Sequence, residues 1–559
     1  MEGTRMYNIL IGGAAGQGIE TTAAVLEKLL KKSGYYVFTV RDFMSRVRGG
    51  HNFTLIRFGT ENIQSHSYKL DGMIALNNET VEIHRDQMQD NGFILCDSKL
   101  TVTDPKMIKI DMEAMAQAIG NPRVAGSIAV GAVLRLFGES KDYFEEVLRT
   151  FVKESVFDIN VTAMTKGYNE VEPRFPRQEG DAADSMILSG SKAMSLGAIA
   201  AGLRFYSAYP MSPSTTLMEL LAEQGEAAGI VVEQAEDEIA AINMAIGASF
   251  AGARAMTGTS GGGFSLMVEA LGLSGMAEIP LVVVDVQRPG PVTGLPTRTE
   301  QSDLAFVISA SQGEFPRMVI AIRHHEDAFY QTIRAFDIAE RYQIPVILLS
   351  DQYLGDASAT VKAFDVNRIS VAQPASSHDG EGIYLRYKYT EDGVSPRLIP
   401  GKSANFVSAD SDEHDENGKI TEAADVRVRM MDKRMKKLEK LTLELQEPEF
   451  IGPQRYETLL LGWGSTYGPI AEAITILNEK MPGKFAALVF GDIYPLPTKL
   501  LIAKAASAAR LINVEQNATG QLAGLIREKT CLFCTSSILK YDGRQISGEE
   551  IADRLMKEV

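Results

Sequence analysis

The sequence predicts an α/β protein made of three α/β domains. Strand-like apolar runs alternate with helical patterns in three stretches of the chain, residues 1–168, 186–359 and 457–559. Residues 169–185 are polar, acidic and proline-containing, which is typical of an inter-domain linker. Residues 360–456 form a polar insertion that ends in a helix. The 559-residue length agrees with this, because domains average about 150 residues.

The first domain opens on a strand, a glycine turn and a helix. Apolar residues 7–11 predict the strand, residues 12–18 the turn, and Ile19–Lys32 the helix. A second strand is expected over residues 35–40. Further segments of the same alternation cover residues 72–76, 92–96, 107–110 and 124–137.

The other two domains repeat the alternation. In the second domain, strands are predicted over residues 229–233, 254–258, 281–286 and 345–350, and in the third over residues 458–462, 486–490 and 511–514. In the helix that ends the insertion, five apolar residues share one face, which predicts a packing element: Met431, Met435, Leu438, Leu441 and Leu445.

Composition and charge exclude several classes of protein. With 45% hydrophobic and 23% charged residues, the chain has an ordinary globular composition. The net charge of −16 disfavours binding to nucleic acid or to an anionic membrane surface. The N-terminal residues lack a signal-peptide pattern, and no apolar run approaches the roughly 18 residues of a membrane helix. A cytoplasmic location is therefore expected.

The three cysteines limit the redox chemistry of the chain. An iron–sulfur cluster usually needs four thiolates, so we expect any cluster to reside on another chain. Cys531 and Cys534, which are close in sequence, are interpreted as buried thiols rather than a redox centre.

Two features of the first domain could bind a phosphate or another anion. The glycine turn is a degenerate dinucleotide fingerprint, with Ala15 in place of the second glycine, and it equally fits a turn needed only for helix–strand packing. Arg46 and Arg48 precede Gly49 and Gly50, which suits an anion at a backbone turn and equally suits a solvated loop. We expect no metal site.

Three segments of the second domain could form a ligand site. Residues 209–215 present hydroxyls from a turn with two prolines, although Ser212 or Ser214 could simply cap the next helix. Residues 233–238 contain four acids before an alanine-rich helix, where most acids need only the helix dipole as an explanation. Residues 257–264 form a glycine-rich turn between a strand and a helix, suited to close approach of a small ligand.

Taken in order, these segments resemble the alpha subunit of 2-oxoacid:ferredoxin oxidoreductases. The segments that carry the resemblance are residues 209–215, the acids ending at Glu238, residues 257–269 and residues 281–291. The glycine turn and the Arg46–Asn52 loop resemble the branch, typified by 2-oxoglutarate enzymes, in which a gamma domain precedes alpha. The resemblance implies a gamma-type domain, a thiamine-diphosphate-binding pyrimidine-type domain and a transketolase C-terminal-like domain.

The family resemblance implies a reaction and a division of labour. Such enzymes convert a 2-oxoacid and coenzyme A into acyl-CoA and carbon dioxide, and pass two electrons to ferredoxin. The alpha chain supplies the pyrimidine side of a thiamine diphosphate site shared with a beta subunit. No Gly-Asp-Gly diphosphate motif occurs in the sequence. The beta subunit is therefore expected to carry both Mg²⁺ and the [4Fe-4S] cluster, in an (alpha-beta)2 heterotetramer.

The resemblance also assigns roles to single residues. Glu238, nine residues before Gly247, is the candidate for the glutamate that hydrogen-bonds the aminopyrimidine ring. Arg288 would hold the substrate carboxylate, and Ser212 stands where many members have threonine. The remaining candidates for cofactor binding are Tyr209, Pro210, Thr259, Ser260 and Gly261. For coenzyme A or another anion, the candidates are Arg46, Arg48, Gly49 and Gly50.

The sequence leaves two alternative functions and the identity of the substrate open. A nicotinamide dehydrogenase built on the N-terminal glycine turn would bind NADH without a partner, and a non-catalytic scaffold would not need Glu238. The favoured substrate is 2-oxoglutarate, which needs a second cation, and Arg298 is one of several possibilities.

Overall fold

The computed structural model describes residues 5–43, 50–372 and 383–558, which divide into two compact units. The first unit comprises the described residues up to Ser189 together with Asp356–Phe364 and Ser547–Glu549. The second comprises Gly190–Gly355 and the described residues of Asp365–Ile546 and of Glu550 onward. Candidate residues Arg46, Arg48 and Gly49 lie outside the described residues.

The helices and strands follow one another along the chain in three groups. The first group is β1 (Tyr7–Ala14), α1 (Ile19–Lys32), β2 (Tyr36–Asp42), β3 (His51–Gly59), β4 (Leu70–Ala75), α2 (Asn78–His84), β5 (Met88–Asp97), β6 (Met107–Ile110), α3 (Met112–Ile119), α4 (Ala125–Leu136), α5 (Phe144–Leu148), α6 (Phe157–Asn169) and β7 (Met186–Ser189).

The second group is α7 (Gly190–Ala200), β8 (Phe205–Ala208), α8 (Thr215–Ala228), β9 (Val231–Gln234), α9 (Glu238–Phe250), β10 (Ala255–Thr259), α10 (Gly261–Met276), β11 (Leu281–Gln287), α11 (Leu304–Ser309), β12 (Met318–Ala321), α12 (His325–Tyr342), β13 (Pro345–Asp351), α13 (Gln352–Asp356) and β14 (Ser358–Val361). The third group is α14 (Ala424–Thr442), β15 (Glu449–Ile451), β16 (Thr458–Trp463), α15 (Tyr467–Lys480), β17 (Phe485–Phe490), β18 (Asp492–Tyr494), α16 (Lys499–Ala505), β19 (Arg510–Glu515), α17 (Gln521–Thr530), β20 (Ser536–Leu539) and α18 (Gly548–Glu558).

The first unit contains a mixed sheet in the order β6-β5-β4-β1-β3-β2-β14-β7. Strands β1, β4, β5 and β6 run parallel, whereas β3, β2, β14 and β7 pair antiparallel. Strand β3 was not predicted from the sequence, and its register pairs Ile9 of β1 with Ile56. Aromatic rings of Tyr7, Phe58 and Phe137 pack within 5.4 Å of one another in the core beneath this sheet.

The second unit contains two further sheets. Its larger sheet has the order β18-β12-β13-β11-β10-β8-β9 and is parallel apart from β18. The smaller has the order β15-β17-β16-β19-β20 and is parallel apart from β15. In the larger sheet, β11, β10, β8 and β9 are neighbours, so their carboxyl ends lie along one edge and their following loops converge there.

Helix α14 forms where the sequence predicts it but buries a different face. Of the five predicted apolar residues only Leu441 is buried, and the other buried residues are Met430, Lys433, Arg434 and Lys437. The reason is an acid in the facing structure, because the Nζ atoms of Lys433 and Lys437 each lie 2.5 Å from the carboxylate of Glu278. This buried carboxylate offsets part of the positive charge of the two lysines and lets a charged face pack inward.

The cysteine prediction was wrong for Cys531. Cys531 is exposed, directly after α17, with a φ of 62°, and Cys534 is half-buried. Cys531 ends this helix in the left-handed conformation, at the C-cap position. Burial raises the pKa of the Cys534 thiol to about 11.

Within residues 5–43, 50–372 and 383–558, no helix has both the length and the apolar character needed to cross a membrane. Within the same ranges, no three His, Cys, Asp or Glu side chains are grouped so that they could hold a metal ion.

Candidate functional site

Four loops of the second unit converge at one edge of its larger sheet. They follow β8, β9, β10 and β11, whose carboxyl ends lie side by side. The loops carry, in that order, Ser212, Glu238, Gly261 and Arg288. Each of these predicted site residues therefore reaches the same edge, where parallel sheets commonly bind ligands.

Glu238 is the buried acid of its segment. Asp237 caps α9, since its side chain accepts a hydrogen bond from the Ala240 N–H at 2.7 Å. This cap satisfies one backbone N–H of the first helical turn, which has no partner within the helix. Glu238 is then the first residue of α9. Glu238 is 4% exposed, whereas Glu236 is exposed. Its Oε1 atom is buried and has no hydrogen-bond partner among the described residues.

The glycine turn after β10 closes tightly around Glu238. A Cβ atom at Gly263 would lie 2.1 Å from Thr259 Oγ1 and 2.5 Å from Glu238 Oε1, so only glycine fits there. Thr259 Oγ1 also lies 3.8 Å from the sulfur of Met211 in the loop after β8. Ser260 is the N-cap residue that precedes α10, and its buried Oγ has no hydrogen-bond partner within the described ranges.

Arg288 joins the loop after β11 to the loop after β8. Its Nη1 atom donates a hydrogen bond to the carbonyl oxygen of Ser212. Burial lowers the pKa of the guanidinium, and the negative charge of Asp303 opposes that shift. Arg288 is half-buried, so its cation is held at the sheet edge with part of its surface accessible.

Two carboxyl groups, one in β11 and one shortly before α11, were not expected from the sequence. Asp285 lies in β11, and Asp303 precedes α11, with its carboxyl group packed against Gly261. Asp285 is 0% exposed, and burial together with the charge of Asp303 raises its pKa well above the ordinary value. A single acid in the otherwise apolar run of residues 281–286 was the signal that could have identified it.

The loop after β8 provides the Ser212 carbonyl as a hydrogen-bond acceptor and carries two exposed side chains. Tyr209 and Pro210 are exposed, and Ser212 is half-buried. Ser214 precedes α8, but its hydroxyl donates to the Met211 carbonyl at 2.8 Å instead of accepting from the helix. Helix capping is therefore not what the Ser214 side chain does.

The glycine turn of the first unit is filled by one of its own side chains. Gln17 Oε1 accepts a hydrogen bond from the Ala14 N–H at 2.7 Å, and its Nε2 donates to the Leu76 carbonyl at 3.2 Å. The amide thus occupies a backbone donor that a phosphate would use in a dinucleotide fingerprint. Gly50 has a φ of 74°, a conformation that favours glycine.

Comparison with known proteins identifies the family. The model described as pyruvate flavodoxin/ferredoxin oxidoreductase, thiamine diP-bdg (thiamine-diphosphate-binding), matches residues 196–433. The model described as pyruvate ferredoxin/flavodoxin oxidoreductase matches residues 8–170. The alpha subunit of 2-oxoacid:ferredoxin oxidoreductase 1 from Sulfurisphaera tokodaii is 32% identical over 98% of this chain and 97% of its own length. The chain belongs to the family of 2-oxoacid:ferredoxin oxidoreductase alpha subunits.

A second relative and a solved structure are also similar to this chain. The 2-oxoglutarate oxidoreductase subunit KorA of Mycobacterium tuberculosis is 31% identical over 77% of this chain and 67% of its own length. The 2-oxoglutarate:ferredoxin oxidoreductase of Magnetococcus marinus, solved with 2-oxoglutarate, coenzyme A and succinyl-CoA bound, superimposes with a TM-score of 0.93. It is 30% identical, and the match covers 99% of each chain. These findings confirm the predicted family and the α/β fold.

The residues at the sheet edge fit the pyrimidine end of thiamine diphosphate. Glu238 presents a buried oxygen without a partner in the described part of the chain, and Ser260 presents a buried hydroxyl in the same condition. Buried polar groups left unpaired are costly, so both atoms suit a polar ligand. Gly261 and Gly263 carry no side chain, which lets the carboxyl groups of Asp303 and Glu238 approach the backbone there.

Proposed function

We propose that this chain acts with a beta subunit in the coenzyme A-dependent oxidative decarboxylation of a 2-oxoacid. The products are acyl-CoA, carbon dioxide, the proton of the coenzyme A thiol and two electrons, which reduce ferredoxin. The proposal is supported by family membership and by the convergence of Ser212, Glu238, Gly261 and Arg288 at one sheet edge. When bound, thiamine diphosphate supplies the thiazolium that stabilises the carbanion.

In this proposal Glu238 is a catalytic residue that holds the aminopyrimidine ring. Its buried carboxyl would form the hydrogen bond with a ring nitrogen, and a dry, fixed geometry favours proton transfer there. Thr259, Ser260 and Gly261 would line the ring, as would Tyr209 and Pro210 from the neighbouring loop. Support comes from the unpartnered Oε1 atom within the described residues.

Arg288 and Ser212 would bind the substrate carboxylate. The guanidinium provides a planar pair of donors that matches a carboxylate, which a lysine cannot reproduce. The backbone carbonyl of Ser212 accepts a hydrogen bond from Arg288, and the hydroxyl of this serine is the proposed second donor to the carboxylate. The single observation that carries the proposal is this contact between the loops after β8 and β11.

We further propose the partners and the substrate. The beta subunit would carry Mg²⁺ and the [4Fe-4S] cluster, the assembly would be an (alpha-beta)2 heterotetramer, and it would work in the cytoplasm. The favoured substrate is 2-oxoglutarate, because the similar Magnetococcus marinus enzyme was solved with it. Coenzyme A would contact the first unit near Gly50, with Arg46, Arg48 and Gly49 as the adjoining candidates.

The test is a kinetic comparison of variants in the heteromer with its beta subunit. Glu238→Gln should lower kcat about a hundredfold or more, the usual range for losing an acid–base group. Arg288→Ala should raise KM for the 2-oxoacid about ten- to a hundredfold, since hydrogen bonds to charged groups contribute about 1.5–3 kcal/mol. Arg288→Lys should be intermediate. Viologen reduction, measured with a panel of 2-oxoacids, supplies both constants.

The matched control is Arg429→Ala, which removes an exposed arginine of α14. It should leave kcat and KM unchanged. Unaltered kinetics in both Glu238→Gln and Arg288→Ala would refute the site assignment, and 2-oxoglutarate performing no better than the other acids would refute the proposed substrate.

A further inference from the structure

The connection from β11 to α11 begins with Arg288 and is closed at its base by hydrogen bonds. The Asp303 N–H, at the far end of the connection, donates to Gln287 Oε1 at 3.0 Å. Gln287 Nε2 in turn donates to the Ser350 carbonyl at 3.0 Å. Gln287 is buried at the end of β11 and directly precedes Arg288. Whatever fixes the far end of the connection therefore also fixes the neighbour of Arg288.

That far end is held by Gln301, which is 0% exposed. The Gln301 N–H donates to the Gln516 carbonyl at 2.7 Å, and the Gln516 N–H donates back to Gln301 Oε1 at 3.2 Å. Gln301 Nε2 donates to the Trp463 carbonyl at 2.9 Å, and the Gln301 carbonyl accepts from Asn517 Nδ2 at 3.0 Å. Every polar group of Gln301 is thus bonded to residues at the ends of β16 and β19.

Gln521, the first residue of α17, holds the same stretch from a second direction. Its Nε2 atom donates to the Ser302 carbonyl at 2.8 Å, and its Oε1 atom accepts from the Ala305 N–H at 2.8 Å. One side-chain amide therefore spans both sides of Asp303. The residues that grip the far end of the connection are named the amide clamp: Gln301, Gln516, Asn517 and Gln521.

A buried carboxylate keeps the amide clamp in one arrangement. Glu515 is 0% exposed and accepts five N–H bonds. Their donors are the side chains of Trp463, Asn513 and Asn517 and the backbone N–H groups of Leu522 and Ala523. The last two lie in the first turn of α17, where a helix favours negative charge. Asn517 and the start of α17 share this acceptor, so the two grips on the connection are fixed relative to each other.

We propose that the amide clamp positions the substrate-binding arginine. Gln301 and Gln521 are positioning residues: they fix the far end of the connection and, through the bond from Asp303 to Gln287, the backbone from which Arg288 reaches the substrate carboxylate. This inference rests on the role of Arg288 in the proposed function. A binding group that is held in place beforehand loses less conformational freedom when its ligand arrives, so the clamp increases substrate affinity.

The experiment compares clamp variants in the heteromer with its beta subunit. Gln301→Met keeps the side-chain length but removes both amide bonds, and Gln521→Ala removes the two bonds that flank Asp303. Each should raise KM for the 2-oxoacid about three- to tenfold, the range for one or two lost hydrogen bonds. We expect kcat to stay within about twofold, because only binding is weakened. The dissociation constant of thiamine diphosphate, measured by calorimetry, should also stay within about twofold of wild type.

The matched control is Gln545→Met, the same substitution at another buried glutamine. Gln545 Oε1 accepts from Gln516 Nε2, and its Nε2 atom donates to the Ser465 carbonyl at 3.4 Å, so its bonds stay outside the connection. Thermal unfolding should show comparable losses for Gln301→Met and Gln545→Met. The control should nevertheless leave KM unchanged. If Gln301→Met does not fold, the half-buried Gln521 still tests the proposal.

A double-mutant cycle tests whether the clamp acts through Arg288. Adding Gln301→Met to Arg288→Ala should raise KM no further, because no guanidinium is left to position. Three results would overturn the inference: a wild-type KM in both clamp variants, an equal rise of KM in Gln545→Met, or additive rises in the double variant. A wild-type KM in Arg288→Ala alone would instead refute the carboxylate role of Arg288 in the proposed function.

Discussion

At the scale of single residues, the neighbouring glycines of α10 show how closely the site is packed. A Cβ atom at Gly263 would collide with Thr259 and Glu238, whereas at Gly262 it would meet only the Val292 carbonyl at 3.4 Å. Gly263 is buried and Gly262 exposed. The two positions share a helix and differ only in what surrounds them, so they separate packing at the site from helix propensity.

Gly263→Ala should therefore lower both stability and turnover. Overpacking costs about 1–3 kcal/mol, and relief of the clash must displace Glu238 or Thr259. Gly262→Ala should instead be neutral or stabilising by up to about 1 kcal/mol, because alanine is the better helix former. Urea unfolding and kcat measure the two effects. Equal behaviour of the two variants would contradict the packing described for Glu238.

At the scale of elements, helix α14 is anchored by charge as well as by apolar contact. The side chains of Lys433 and Lys437 are 2% and 1% exposed, and both bind Glu278, which is also buried. Although burial alone would raise it, the charges of the two lysines hold the pKa of Glu278 far below its ordinary value. Burial lowers the pKa of Lys437 to about 8 despite that carboxylate.

Glu278→Gln should strongly destabilise the second unit. The variant leaves buried lysines without a counter-ion, and breaking a buried ion pair in this way typically costs about 3–5 kcal/mol. Asp425→Asn is the control on the same helix, since it breaks the exposed pair with Arg429 and should change stability by no more than about 0.5 kcal/mol. Urea unfolding at pH 7 compares them, and similar losses in both would contradict the anchoring role.

At the scale of the whole molecule, the number of cysteines limits whether this chain could bind an iron–sulfur cluster. Cys531 is exposed and Cys534 half-buried in the second unit, whereas Cys96 is buried in β5 of the first. Three thiols fall short of the four ligands of an iron–sulfur cluster. The cluster proposed for the beta subunit is therefore expected to be independent of all three.

The double variant Cys531→Ser/Cys534→Ser should accordingly retain full viologen reduction in the heteromer. Its iron content per heteromer should also equal that of wild type, because neither thiol would be a ligand. Iron analysis and visible absorption of the purified assembly provide the measurement. Loss of iron in the double variant would place a cluster ligand on this chain.

The sequence was sufficient for the features that depend on local patterns. Helix Ile19–Lys32 occurs at its predicted limits, and the strands predicted at residues 281–286 and 345–350 lie within one residue of β11 and β13. These elements have strong periodicity or long apolar runs, and such patterns can be recognised in the sequence without knowledge of tertiary contacts. The ordered motifs around Ser212, Glu238 and Arg288 were likewise sufficient to identify the family, whereas their site roles and the domain limits stay predictions.

Only the tertiary structure decided which neighbours those residues have. Strand order in the second unit brings the loops after β8, β9, β10 and β11 together, and the approach of Asp303 to Gly261 depends on contacts between residues 42 positions apart. The buried face of α14 follows from Glu278, more than 150 residues earlier in the chain. Local propensity is a property of adjacent residues, but burial, charge compensation and site geometry depend on distant segments meeting in the folded chain.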